Sequence, residues 1–329
     1  MPVTPTKSIW KNGQFVPFKS ATVHVLSHAL HYGTSWFEGI RAYNTEKGVA
    51  VFRLDEHMQR FHRSLKVYRT ALPYSVEELP IATCNLLRRN NLGTCYIRPF
   101  AMRGFGDMGV YALRNPLEVY IAAWEWGAYL GDNAAESGVD VCISSWNRIT
   151  PNSLPSISKA GGNYMNSQLV KMEAVENGYA EGITLDSYGH VAEGSGENVF
   201  AVVGGEIVTP PTGNSLLPGI TRDTVIQLAE SLGYRVAERN LTRAMLYTCD
   251  EVFLTGTAVE ITPVRSIDRI AVGRGGPGPV TRAIQKAFGK IIVTGQDPFG
   301  WLTFINDVPA KPTNKVTTTK KKSSKKVTK

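Results

Sequence analysis

Two dipeptides set the strongest limit on what this chain can fold into. Asn12-Gly13 in WKNGQFVPF suits a type I′ turn, and Gly204-Gly205 turns the chain into EIVTP. Two-residue turns join antiparallel strands, whereas parallel strands need a long crossover. Between such hairpins lie helical patterns. In RLDEHMQRFHRSLKVYRT, residues Leu54, Met58, Phe61, Leu65 and Tyr68 recur at steps of four and three and draw one apolar stripe, with Arg60 beside it. Ser75 and Glu78 have capping-box spacing before a second helix toward Asn90, with Pro80 in conflict inside its first turns. Further helices are expected over about 163–177, in GITRDTVIQLAESLGY and in GPVTRAIQKAF, and strands in TCYIRPFAM, LEVYIAAWEW, VDVCISSW and EVFLTGT. This mixture predicts an α+β fold rather than a doubly wound parallel sheet.

At 329 residues the chain is too long for one ordinary core, so two domains are expected. The composition change in GAYLGDNAAESG places the boundary: 1–127 first, a 128–137 loop, then 138–309. The net charge of +8 suggests a polyanion partner until it is located. Residues 310–329 carry eight lysines and no acid, which leaves the body near neutral. A Lys/Thr/Ser tail with almost nothing apolar cannot offset its own ordering entropy and is expected to be disordered. Nucleic acid is therefore expected, if anywhere, only at the tail. Cys84, Cys95, Cys142 and Cys249 form no CxxC pair and have no metal-ligand spacing, so no metal is expected. There is no apolar signal core at the N-terminus and no run of about 18 apolar residues, so no membrane partner and a cytoplasmic location are expected.

Several segments carry chemistry. Lys159 sits in SKAGG, among small residues and just before a helix; such an amine could form a Schiff base with a flat ligand. Glu193 in HVAEGSGENVF lies between a strand and a Gly-Ser-Gly turn. It reads as an ordinary hairpin-end charge or as the carboxylate partner of a cationic ring nitrogen, which pyridoxal phosphate requires to act as an electron sink. Pro218 and Gly219 open a helix whose first amides belong to Ile220 and Thr221, a ready phosphate site. Gly256 and Thr257 after EVFLT offer a second set of amides and a hydroxyl, and Arg60 a fixed cation. Each alone is weak, but together they supply every part that one cofactor needs.

The chain resembles branched-chain amino acid aminotransferases of class IV, the fold-type IV enzymes that use pyridoxal 5′-phosphate. The resemblance rests on Glu193 through Asn198-Val199-Phe200, Ile207-Val208-Thr209 and Leu217-Pro218-Gly219-Ile220-Thr221-Arg222, and on SHALHYGTSWFEGIR, FRLDEHMQR, YIRPF, WGAYL, SSWNR, KAGGNY and GTAVEITPV. It spans roughly residues 7–305 and leaves the tail outside. The fold it implies is like that of D-amino-acid aminotransferase, with a smaller N-terminal α/β domain, a larger C-terminal pseudo-barrel domain and the cofactor between them.

By this resemblance Lys159 would bind the cofactor covalently and carry the proton between substrate Cα and cofactor C4′. Glu193 would face the pyridine nitrogen and Tyr164 the phenolic oxygen. Arg60, Gly219, Ile220, Thr221, Gly256 and Thr257 would hold the phosphate, and Leu217 would pack on the ring. Phe37, Gly39, Trp126, Tyr129 and Tyr164 would line an apolar substrate pocket. Tyr96 with the amides near Thr257 and Ala258 would take the α-carboxylate, and Arg98 the distal carboxylate of glutamate. Tyr32 and Val110 match positions supplied by a partner subunit, which implies at least a homodimer and leaves a hexamer open. The implied reaction is a reversible ping-pong exchange between L-leucine, L-isoleucine or L-valine and 2-oxoglutarate. D-amino-acid aminotransferase and aminodeoxychorismate lyase share the lysine, the glutamate and the phosphate cradle; HYGTSWFEGIR, YIRPF and WGAYL favour the branched-chain substrates.

Overall fold

The computed structural model describes residues 3–127, 130–131 and 133–309. Tyr129 and the Lys-rich tail lie outside the described residues. Two sheets organise the chain. The first runs in the order Leu302–Phe304, Gly48–Phe52, Ile40–Thr45, Cys95–Arg103, Leu117–Trp124, Ser8–Lys11, Gln14–Pro17, with Ser35–Phe37 also on Cys95–Arg103, and every pair in it is antiparallel. The second runs Val191–Gly194, Glu181–Leu185, Val139–Ile143, Glu260–Ile267, Glu251–Gly256, Asn198–Val203, Glu206–Thr209, Val236–Glu238. It is mixed: Val139–Ile143 lies parallel to both neighbours, and Val236–Glu238 parallel to Glu206–Thr209. The architecture is α+β. Asn12 and Gly13 take φ of 47° and 87°, as a type I′ turn requires.

The helix Leu54–Val67 presses its stripe inward. Leu54, Met58, Phe61 and Leu65 are fully buried, and Tyr68 follows half-buried at the C-cap. Its depth carries Arg60 and His57 below the surface as well. The capping box forms: Ser75 Oγ accepts the Glu78 amide at 3.2 Å, and Glu78 Oε2 accepts the Ser75 amide at 2.8 Å. Pro80 is the third residue of the helix Glu78–Asn90. The first four helical amides have no intrahelical partner, so the proline there costs no hydrogen bond. Within the expected 128–137 loop, Ala134–Ser137 form one helical turn, closed by the Gly138 amide on the Ala134 carbonyl with Gly138 at φ +76°.

Two elements tie the halves together. Residues 302–304, near the chain's C-terminal end, return to the first sheet beside Gly48–Phe52. One apolar cluster also draws on both halves, joining Tyr43, Phe52 and Trp301 to Phe200, Val225, Phe253 and Phe288. Among the described residues no helix is long and apolar enough to cross a membrane, and no His/Cys/Asp/Glu group could hold a metal.

Candidate active site

A cleft collects residues from both halves. Arg60 comes from the helix Leu54–Val67, Lys159 from the segment before the helix Tyr164–Glu176, Tyr164 from that helix's first position, and Glu193 from the strand Val191–Gly194. Thr221 comes from the start of the helix Ile220–Ser231, and Thr257 from the turn after Glu251–Gly256. Leu217, Gly219, Ile220 and Gly256 line it too, so the ten residues expected at the cofactor share one cleft.

Lys159 is half-buried and pinned by its backbone. Its amide donates to Ser64 Oγ at 3.0 Å, and its carbonyl accepts the Phe37 amide at 3.1 Å. Its Nζ donates to Tyr164 Oη at 2.8 Å. The small residues after it serve a purpose the sequence did not reveal. A Cβ on Gly161 would overlap Ser35 Oγ, and Gly162 packs against Gly33. Gly161 thus admits the Ser35 side chain, and neither glycine lines the cleft.

Glu193 is 4% exposed and fully paired on the protein side. Arg148 Nε donates to Oε1 at 2.7 Å, and Oε2 accepts the Leu217 amide at 3.0 Å, with Asn198 Nδ2 at 3.4 Å. Burial pushes its carboxyl above the ordinary range, and Arg148 works in the opposite direction. Sequence reading missed Arg148, although it closes the SSWNR motif; Arg148 and Glu193 are 45 residues apart, and no spacing signals that pairing.

Arg60 is likewise engaged. Its Nε and Nη2 grip Glu38 Oε1 and Oε2 at 2.8 and 2.7 Å, and its Nη1 donates to the Pro218 carbonyl at 3.0 Å. His57 Nδ1 meets Glu38 Oε2 at 2.7 Å, so that nitrogen carries the proton. Burial alone would raise the Glu38 carboxyl; Arg60 and His57 hold it far below the usual carboxylate range. Glu38, also missed, fixes the guanidinium and leaves Nη1 and Nη2 each one further donor toward the cleft.

The loop before the helix Ile220–Ser231 is fixed at three points: the Leu217 amide on Glu193, the Leu217 carbonyl on Asn198 Nδ2 at 3.0 Å, and the Pro218 carbonyl on Arg60. Gly219 is the N-cap, and a Cβ there would overlap Asn198 Oδ1. The helix therefore aims its first amides and the Thr221 hydroxyl into the cleft.

A phosphate-bearing aldehyde fits what is present. One end of the cleft offers a helix N-terminus, two threonine hydroxyls and an arginine; the wall offers an amine and a carboxylate. Thr255 Oγ1, also lining the cleft, is buried without a partner and would be satisfied by a polar ligand. Glu197 lines the cleft as well, and burial and the nearby Glu181 push its carboxyl up to about 8.

Next to Lys159 stands an aromatic wall. The Phe37 ring lies 4.8 Å from Tyr164 and 5.1 Å from Lys159 Nζ. Arg98 covers Phe37 at 4.5 Å and donates to Tyr96 Oη at 3.2 Å, and Tyr96 packs 4.8 Å from Trp126. Gly39 leaves room for Tyr96, whose hydroxyl a Cβ there would overlap. Ala258 sits in the turn between Glu251–Gly256 and Glu260–Ile267. Tyr32 and Val110 do not line the cleft; they lie on an exposed lobe.

The family model for amino-transferase class IV matches residues 35–267. The chain belongs to this family. Among curated relatives of this class IV aminotransferase, the branched-chain-amino-acid aminotransferase of Escherichia coli K12 is 53% identical over 304 residues, covering 91% of this chain and 97% of that one. The Pseudomonas aeruginosa enzyme of the same name is 44% identical, covering 86% and 92%. The E. coli branched-chain amino acid aminotransferase crystal structure superposes with a TM-score of 0.90 at 53% identity, covering 92% and 100%. That of the Thermobaculum terrenum enzyme in its PLP form superposes with 0.85 at 38% identity, covering 92% and 99%.

Proposed function

We propose that this class IV aminotransferase is a pyridoxal 5′-phosphate-dependent branched-chain amino acid transaminase. It exchanges the amino group of L-leucine, L-isoleucine or L-valine with 2-oxoglutarate, reversibly and by a ping-pong course. The observation that carries the reading is the Lys159–Tyr164 pair set directly against the wall of Phe37, Tyr96 and Arg98.

When bound, the cofactor supplies the electron sink for the carbon that loses its proton. Lys159 Nζ is the attachment point and the base at substrate Cα, and Tyr164 Oη orients it. Arg60, Thr221, Thr257 and the amides of Ile220 and Thr221 hold the phosphate, and Leu217 and Glu193 seat the ring. Phe37 and Trp126 accept a branched apolar side chain. Arg98 lets the same pocket accept 2-oxoglutarate, since a distal carboxylate buried without a cation is costly.

Residues 1–127 and 138–309 act as two domains meeting at the cleft, in a cytoplasmic homodimer. Val25, Leu26, Leu30, Tyr32, Phe105, Met108, Val110 and Tyr111 are all exposed, on two segments that the His28–Gly104 and His28–Gly109 hydrogen bonds join. Large apolar patches of this kind mark interfaces. Tyr32 and Val110 then complete the partner's substrate pocket.

The test is an amino-transfer assay with 2-oxoglutarate. Glutamate should form from L-isoleucine, L-leucine and L-valine, and turnover of D-alanine faster than L-leucine would overturn the substrate assignment.

A further inference from the structure

The apolar lobe has an organising residue that the reaction does not use. His28 is 1% exposed, at the start of the short helix His28–Tyr32. Its ring stacks on Tyr32, with centroids 4.3 Å apart and planes at 19°. Its Nε2 lies 2.6 Å from the Gly109 carbonyl, the residue before Val110, and its Nδ1 lies 2.8 Å from Thr34 Oγ1. A carbonyl only accepts, so Nε2 carries the proton and, in the neutral ring, Nδ1 accepts from the Thr34 hydroxyl. The His28 amide also donates to the Gly104 carbonyl, and Ser27 bridges to Phe105. One imidazole thus joins two segments 81 residues apart in sequence, at the two points that flank Tyr32 and Val110.

Val110 is 95% exposed and Tyr32 is 44% exposed. Exposed side chains of this kind are fixed only from behind, as Tyr32 is by the His28 ring, so a site that depends on them needs that support in place.

We propose that His28 is a positioning residue: it holds Tyr32 and Val110 in the arrangement that a second copy of this chain requires at its own active site. This rests on the reading above that those two residues complete the partner's pocket. His28 touches no reacting atom. It acts across the interface, through the ring it stacks and the carbonyl it binds.

The consequence is unusual for a buried histidine: damage to it is felt in the other subunit. His28→Ala homodimers should retain the lysine-bound visible band. Their kcat/KM for L-isoleucine should fall about 10- to 100-fold, mainly through KM, as expected for a misplaced pocket wall. The decisive preparation is a hybrid dimer of His28→Ala and Lys159→Ala subunits, co-expressed with two different tags and isolated through both. The His28→Ala subunit keeps Lys159 and receives its trans residues from a partner with intact His28. The hybrid should therefore regain about half the wild-type kcat with a wild-type KM, one of its two symmetric sites being complete. A Tyr32→Ala/Lys159→Ala hybrid serves as reference. If that reference recovers and the His28 hybrid stays at the His28→Ala level, the assignment of His28 is wrong while the shared pocket stands. If neither recovers, the shared pocket itself is wrong, and the proposal falls with it. Should His28→Ala not fold, Thr34→Val, which removes only the Nδ1 partner, takes its place in the same hybrid with the same reading.

Discussion

At Glu193, burial and pairing pull in opposite directions. Burial favours the neutral acid, and Arg148 at 2.7 Å favours the carboxylate that a protonated ring nitrogen needs opposite it. Arg148→Met should leave a lone buried charge and lower stability by about 3–5 kcal/mol in urea unfolding. The loss should shrink at low pH, where protonation removes that charge; a loss independent of pH would mean that Arg148 acts by packing alone. Glu197 makes a second pH prediction. Its carboxyl is raised by burial and Glu181 to about 8, so between about 4.5 and 8 the folded chain holds a proton that the unfolded chain has released. Stability from this group is present below that window and falls as pH rises through it. Glu197→Gln should flatten the decline, measured by unfolding across pH 5–9, and an unchanged slope would remove Glu197 as its source. Residues with a chemical signature, such as Lys159 and Glu193, were legible in the sequence. Arg148 and Asn198, which hold Glu193, and Glu38, which holds Arg60, were not assigned, because each acts through a partner that only folding brings near.

The elements that aim these side chains were legible where periodicity or capping is local. The Leu54–Val67 stripe and the Ser75–Glu78 box fold as their spacing implies. Long-range fits were opaque: Gly161 is small because Ser35 comes close, and Gly219 because Asn198 does. The return of residues 302–304 to the first sheet leaves no local mark in the sequence either. Gly219 has φ −70° and ψ 137°, a conformation any residue adopts, so alanine there is resisted by contact and not by backbone strain. Gly219→Ala should displace either Asn198 or the start of the helix Ile220–Ser231 and weaken pyridoxal phosphate binding about 10- to 100-fold. Titrating the apo-protein with cofactor reads this directly, and an unchanged affinity would show that the helix start does not grip the phosphate.

At the scale of the molecule, the cleft is lined from both halves and the exposed apolar side chains lie outside it, so the proposed dimer is what would bring them into the chemistry. Val110→Asp is a change at a 95% exposed position and should shift the stability of a monomer by no more than about 0.5 kcal/mol. In sedimentation it should instead split the dimer, and wild-type sedimentation would place the interface elsewhere. The proposed function turns on Lys159 holding a pyridoxal cofactor that takes its amino group from branched L-amino acids. The most direct measurement is the absorbance spectrum of the purified protein before and after addition of L-isoleucine. A visible band should be present and should move into the near-ultraviolet within the mixing experiment. A band that ignores L-isoleucine and responds to D-alanine, or no band even with added pyridoxal phosphate, would contradict the proposed function.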